Sequence, residues 1–130
     1  MSTYQCVSSI YPVSCRYTNC LYQIDSERII VGFDKMFYVV NMDTCTIEKW
    51  VKVKKELGGI LCFEKLKDNK TIVCGCQNGA FLFYDKETHD IRIQPGNHQS
   101  GIVDLCALNE NTMVSCSKDG TLKVWDVSFN

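Results

Sequence analysis

The feature that most constrains this chain is a β-hairpin that returns at a nearly fixed interval. Thr112-Met113-Val114-Ser115-Cys116-Ser117 reads as a strand, Lys118-Asp119-Gly120 as a turn, and Thr121-Leu122-Lys123-Val124-Trp125-Asp126 as the return strand. An Asp-Gly turn between β-rich runs is a strong hairpin signal, because the turn needs positive φ, which Gly accepts at no steric cost. The same hairpin stands earlier, as Thr71-Ile72-Val73-Cys74-Gly75-Cys76, the turn Gln77-Asn78-Gly79, and Ala80-Phe81-Leu82-Phe83-Tyr84-Asp85. Gly79 and Gly120 are 41 residues apart, and so are Asp85 and Asp126, while Gly59-Ile60-Leu61 precedes Gly101-Ile102-Val103 by 42. The one-residue slip falls in the loop at Asn69-Lys70, where insertions are tolerated. A fainter copy begins at Arg28-Ile29-Ile30-Val31-Gly32-Phe33, 43 residues before the 71–76 strand, turns at Asp34-Lys35 and returns as Met36-Phe37-Tyr38-Val39-Val40-Asn41.

Asp43-Thr44-Cys45-Thr46-Ile47 parallels Glu87-Thr88-His89-Asp90-Ile91 at a spacing of 44, and both read as a turn leading into a fourth strand. A unit of roughly forty residues and four strands is the signature of a propeller blade. A leucine-rich repeat is shorter, and a helical repeat would show a 3.6-residue period. A single β-sandwich would not readily explain three hairpins at a constant interval. The expected fold is therefore all-β, with about three blades of four antiparallel strands. Residues 1–14 would form an N-terminal strand that completes a last blade, 15–55 blade 1, 56–96 blade 2, and 97–130 a blade 3 without its own fourth strand.

The last copy resembles a tryptophan-aspartate (WD) repeat. The resemblance is carried by His98-Gln99-Ser100-Gly101-Ile102, by the hairpin SCSKDGTLKVWD and by its closing Trp125-Asp126. It is good over residues 97–127, moderate over 56–93 and weak over 16–55, and Asn97 replaces the family's Gly before His98. The resemblance implies a hydrogen-bonded relay of His98, Ser115, Asp119 and Trp125 across one blade. Trp125 has one donor, Ser115 can donate and accept, and His98 can bridge to a carboxylate. The second copy has Glu56, Cys74, Asn78 and Tyr84 at those positions, so it lacks the relay.

A histidine, a serine and an aspartate also make up a hydrolase triad. Against that reading, Ser115 lies within a strand, and no GxSxG elbow or oxyanion glycine run is present. Cys74 and Cys76 share one face of a strand and invite a zinc reading with His89 or His98. No second close-spaced ligand pair exists, and structural zinc takes four ligands. Core packing is the expected role of these cysteines, and no metal or cofactor is expected.

Net charge is -1, and no basic stripe exists of the kind a phosphate backbone requires. Lys52, Lys54 and Lys55 belong instead to the wet face of an alternating stretch, so a nucleic-acid partner is not expected. No apolar run is long enough to span a bilayer, and the N-terminus does not read as a secretory signal. The nine cysteines are odd in number, show no CxxC spacing and mostly sit in apolar strand-like runs. That usage points to a reducing compartment, cytoplasmic in the first instance with the nucleus as the other choice.

A closed propeller takes 4–8 blades. The expected closure is a homodimer in which each copy donates its spare strand, Thr3–Ile10, to the other's last blade, giving six blades with two-fold symmetry. The competing arrangements are a fragment of a longer propeller, or a subunit completed by a different chain. Fold and resemblance together imply a non-catalytic scaffold for protein partners. A structural subunit of a larger assembly is the first alternative, and a cysteine- or metal-dependent enzyme the remote one. Candidate contact residues are Lys118, Gln77, Asp34 and Lys35 on the hairpin turns. The loops entering each blade add Arg16, Tyr17, Lys55, Glu56, Gln99 and Ser100.

Overall fold

Each repeat folds into its own antiparallel sheet. The computed structural model describes residues 5–7, 9 and 18–128, and the strands run in chain order within each sheet. Blade 1 comprises β1 (Thr18–Gln23), β2 (Arg28–Phe33), β3 (Met36–Asn41) and β4 (Thr46–Lys52). Blade 2 comprises β5 (Ile60–Lys65), β6 (Thr71–Cys76), β7 (Phe81–Asp85) and β8 (Ile91–Gln94). Blade 3 comprises β9 (Ile102–Ala107), β10 (Thr112–Ser117) and β11 (Leu122–Asp126), with no fourth strand among the described residues. One 3-10 turn, Lys55–Leu57, links blades 1 and 2.

The sheets stack face to face, with β1 against β5 and β5 against β9 as a row of inner strands. Burial follows from that order. Strand β6 is apolar without alternation because blade 2 has a neighbour on both sides, and Ile72, Val73, Cys74 and Cys76 are all buried. Strand β10 alternates between buried and half-buried positions, because blade 3 is covered on one face. One core, built from Ile30, Phe37 and Val39 against Ile60, Ile72 and Leu82, joins blades 1 and 2. A second, built from Val73, Phe81 and Phe83 against Ile102, Leu105 and Met113, joins blades 2 and 3.

The turns repeat as faithfully as the strands. Asp25 and Asp68 each accept two backbone N–H groups between the first and second strands of their blades. Asn41 and Asp85 do the same after the third strand, and Asp126 accepts the Ser128 N–H. A short acceptor side chain that bonds the backbone two residues on is what fixes such turns. Of the expected N-terminal strand, Gln5–Val7 and Ser9 are exposed and belong to no strand; the rest of Thr3–Ile10 lies outside the described residues.

Candidate functional site

The face of each blade turned toward the next is its rear face. It is built from two cross-strand rows. In blade 1 they are Cys20–Gly32–Phe37 and Tyr22–Ile30–Val39. In blade 2 they are Cys62–Gly75–Phe81 and Glu64–Val73–Phe83. In blade 3 they are Asp104–Cys116–Leu122 and Cys106–Val114–Val124. The first two rear faces are covered by the following blade. The third is open, with Leu122 68% and Val124 64% exposed.

The two covered junctions share a knob, a hole and two hooks. Glycine leaves the hole: a Cβ at Gly32 would stand 3.0 Å from Ile60 Cγ2, and one at Gly75 would stand 2.8 Å from Ile102 Cγ2. The Cys20 thiol donates to the Ile60 carbonyl at 3.6 Å, and the Cys62 thiol donates to the Ile102 carbonyl at 3.4 Å. Two residues on, the Tyr22 hydroxyl accepts the Lys65 N–H at 3.1 Å and donates to Glu64 Oε1 at 2.8 Å. Glu64 Oε2 accepts the Ala107 N–H at 2.8 Å, so one carboxylate ties all three blades. Lys65 Nζ also donates to the Ile24 carbonyl at 2.8 Å.

His98, Ser115, Asp119 and Trp125 meet on the front of blade 3. Trp125 Nε1 donates to Ser115 Oγ at 2.8 Å, and Ser115 Oγ lies 2.6 Å from His98 Nε2. His98 Nδ1 lies 3.2 Å from Asp119 Oδ2 and 3.0 Å from Thr121 Oγ1. The assignment that satisfies each group has the serine hydroxyl donating to Nε2 and Nδ1–H donating to the carboxylate. Asp119 also accepts the Gln99 and Thr121 N–H groups and the Thr121 hydroxyl. That hydroxyl, followed by the Gln99 and Thr121 N–H groups and His98, holds the Asp119 carboxyl well below the usual carboxylate range, against the opposing effect of burial. Sequence reasoning missed Thr121, although its position directly after the Asp-Gly turn was the available signal.

As a triad this set is sealed: Ser115 is 1% and His98 4% exposed, so no substrate carbonyl reaches the serine. Trp125 is half-buried, with its ring edge-on to Phe81 of blade 2 at 5.3 Å. In blade 2, Tyr84 takes the tryptophan's place and pairs with His89 Nδ1, while Glu56 lies exposed. Cys74 and Cys76 lie in the core, where burial pushes both thiols up, Cys76 to about 12. Among the described residues no histidine, cysteine, aspartate and glutamate group could hold a metal ion.

The remaining candidates gather at one end of the blades. Gln77 N–H bonds the Gly59 carbonyl and Lys118 N–H the Gly101 carbonyl, which docks each hairpin turn on its blade's entry loop. The Val53 N–H likewise bonds the Lys35 carbonyl, next to Lys55 and Glu56. Asp34, Lys35, Lys55, Glu56, Gln77, Gln99 and Lys118 are exposed there. Ser100 is only half-exposed, and its carbonyl accepts the Ser117 hydroxyl at 3.0 Å. Arg16 and Tyr17 lie outside the described residues.

Antiparallel sheets of three or four strands stacked face to face define a β-propeller chain. Comparison with known proteins agrees with that fold. The model for "WD domain, G-beta repeat" matches residues 91–126. The Ribosome biogenesis protein YTM1 of Debaryomyces hansenii is 28% identical over an alignment 118 residues long, which covers 78% of this chain and 25% of that protein. The solved RRP9 WD40 repeats superpose with a TM-score of 0.78 at 17% identity, over 90% of this chain and 37% of that one. The U3-55K structure gives 0.77 at 18% identity, over 90% of this chain and 38% of that one. The chain thus carries a WD repeat and has the β-propeller fold, and its match spans about a quarter of that curated relative's length. Proteins of this family are generally non-catalytic scaffolds.

Proposed function

We propose that this chain is a non-catalytic scaffold in a protein assembly, and that the open face of blade 3 is an interaction surface for a protein partner. One observation carries the reading. Rows that are buried in blades 1 and 2 lie exposed in blade 3, as Leu122 and Val124 show. An exposed apolar face of this kind, bordered by a strand with a free edge among the described residues, marks an interaction site. A relative named for ribosome biogenesis supports an assembly of that kind and favours a nuclear over a cytoplasmic location. Closure by a second copy would need an open front face on blade 1. On that face Val31, Phe33, Tyr38 and Val40 are already buried within the chain, although Leu21 and Trp50 of the same cross-strand row are exposed, so little of it is open to a second copy.

The test is photo-crosslinking in cells, with the reactive group at Val124 and, as control, at the exposed Lys67 of a loop. The reading predicts one discrete hetero-adduct from position 124 and none from position 67. An adduct of the chain with itself, or equal labelling from both positions, would overturn it.

A further inference from the structure

The rear face of blade 3 departs from those of blades 1 and 2 at two adjacent points. Where they have the holes Gly32 and Gly75, it has Cys116. Where they have the thiol donors Cys20 and Cys62, it has Asp104, an exposed carboxylate. At both covered junctions an isoleucine stands over the glycine and presents its carbonyl to the thiol. Cys116 fills that hole, and Asp104 would set a carboxylate against that carbonyl, two acceptors with no proton between them. Blade 3 therefore does not accept another blade of this chain's own pattern. Around Asp104 the face remains apolar, formed by Cys106, Val114, Leu122 and Val124. A carboxylate covered by such a surface is strongly destabilising unless it is paired.

From this we infer that the partner of blade 3 is a β-strand surface with a small residue over Cys116 and a lysine or arginine reaching Asp104. The inference rests on the scaffold reading only in taking this face to be covered. Arginine suits the site best, because its planar fork matches a carboxylate.

The probe is a synthetic two-stranded β-hairpin whose apolar face carries alanine, valine and one arginine. Two companions carry glutamine or glutamate in place of the arginine. Binding to the full chain is followed by the amide resonances of Asp104, Cys106, Val114, Leu122 and Val124. The arginine hairpin is expected to bind about tenfold more tightly than the glutamate hairpin, with the glutamine form between them. The preference should shrink at high salt and vanish in Asp104→Asn, whose exposed site leaves the fold intact. The double variant Asp104→Cys, Cys116→Gly rebuilds the hole and hook, and it too should lose the arginine preference. Equal binding of all three hairpins would overturn the inference while leaving the docking reading intact. No shift at these amides with any hairpin would overturn both. Self-association of the wild-type chain through this face would overturn the inference as well.

Discussion

Gly75→Ala puts the blade-stacking geometry to a quantitative test. A methyl group at Gly75 would lie 2.5 Å from Cys62 Sγ, 2.8 Å from Ile102 Cγ2 and 3.0 Å from Ile102 Cβ. Cys62 and Ile102 are both buried between blades 2 and 3, so neither can swing aside, and the blades must part slightly. Overpacking of this kind costs about 1–3 kcal/mol, and contacts this short place the variant near 3. The equivalent Gly32→Ala meets nothing closer than 3.0 Å and should cost about 1 kcal/mol. Cys116→Gly, at the same repeat position on the uncovered face, relieves no clash and should lose only about 0.5–1 kcal/mol of strand preference. Urea unfolding measures all three, and the thermal midpoint should move by about 4 °C per kcal/mol. Trimming the knob supplies the control. In an Ile102→Ala background, Gly75→Ala should cost about 1–2 kcal/mol less than in the wild type. Equal, small effects at residues 32, 75 and 116, with no coupling to Ile102, would refute the knob-and-hole account.

Trp125→Ala should cost about 3 kcal/mol, the low end for truncating a large aromatic, since the ring is only half-buried; Trp125→Phe, which keeps the packing on Phe81, should recover all but about 1 kcal/mol in the same assay. Because the folded state holds Asp119 below its unfolded range, this group's contribution is complete above about pH 4 and is lost as the pH falls toward the folded value. Melting curves from neutral pH to pH 2 should therefore fall more steeply for the wild type than for Asp119→Asn, and parallel curves would contradict the network. Native thiol labelling should mark Cys6, Cys45 and Cys106 quickly and leave Cys62, Cys74 and Cys76 unmodified until the chain unfolds, since burial raises the pKa of these last three thiols.

Much of the architecture could be read from spacing alone, because each blade repeats its turn chemistry and a turn residue acts locally. The Asp-Gly and Asn-Gly hairpins, the acceptors Asp85 and Asp126, and the His98, Ser115, Asp119 and Trp125 set all belong to that local layer. What the sequence hid were consequences of stacking. Cys20, Cys62 and Asp104 recur at intervals of 42, yet the meaning of the change to aspartate appears only once the rear faces are identified. Nothing local in the sequence marks Glu64, because its role depends on Tyr22 and Ala107 arriving from two other sheets. The half-exposure of Trp125 likewise could not be read, because it reflects the strand that blade 3 lacks among the described residues.

The most direct measurement is nuclear Overhauser contact between inner strands in the folded chain. Three separate sheets stacked face to face require the Ile60 γ2 methyl to contact Gly32 and the Ile102 γ2 methyl to contact Gly75, with no ladder contacts joining β8 to β9. Ladder contacts between β8 and β9, with both methyl contacts missing, would mean that blades 2 and 3 form one continuous sheet, and the exposed rear face would no longer have a basis.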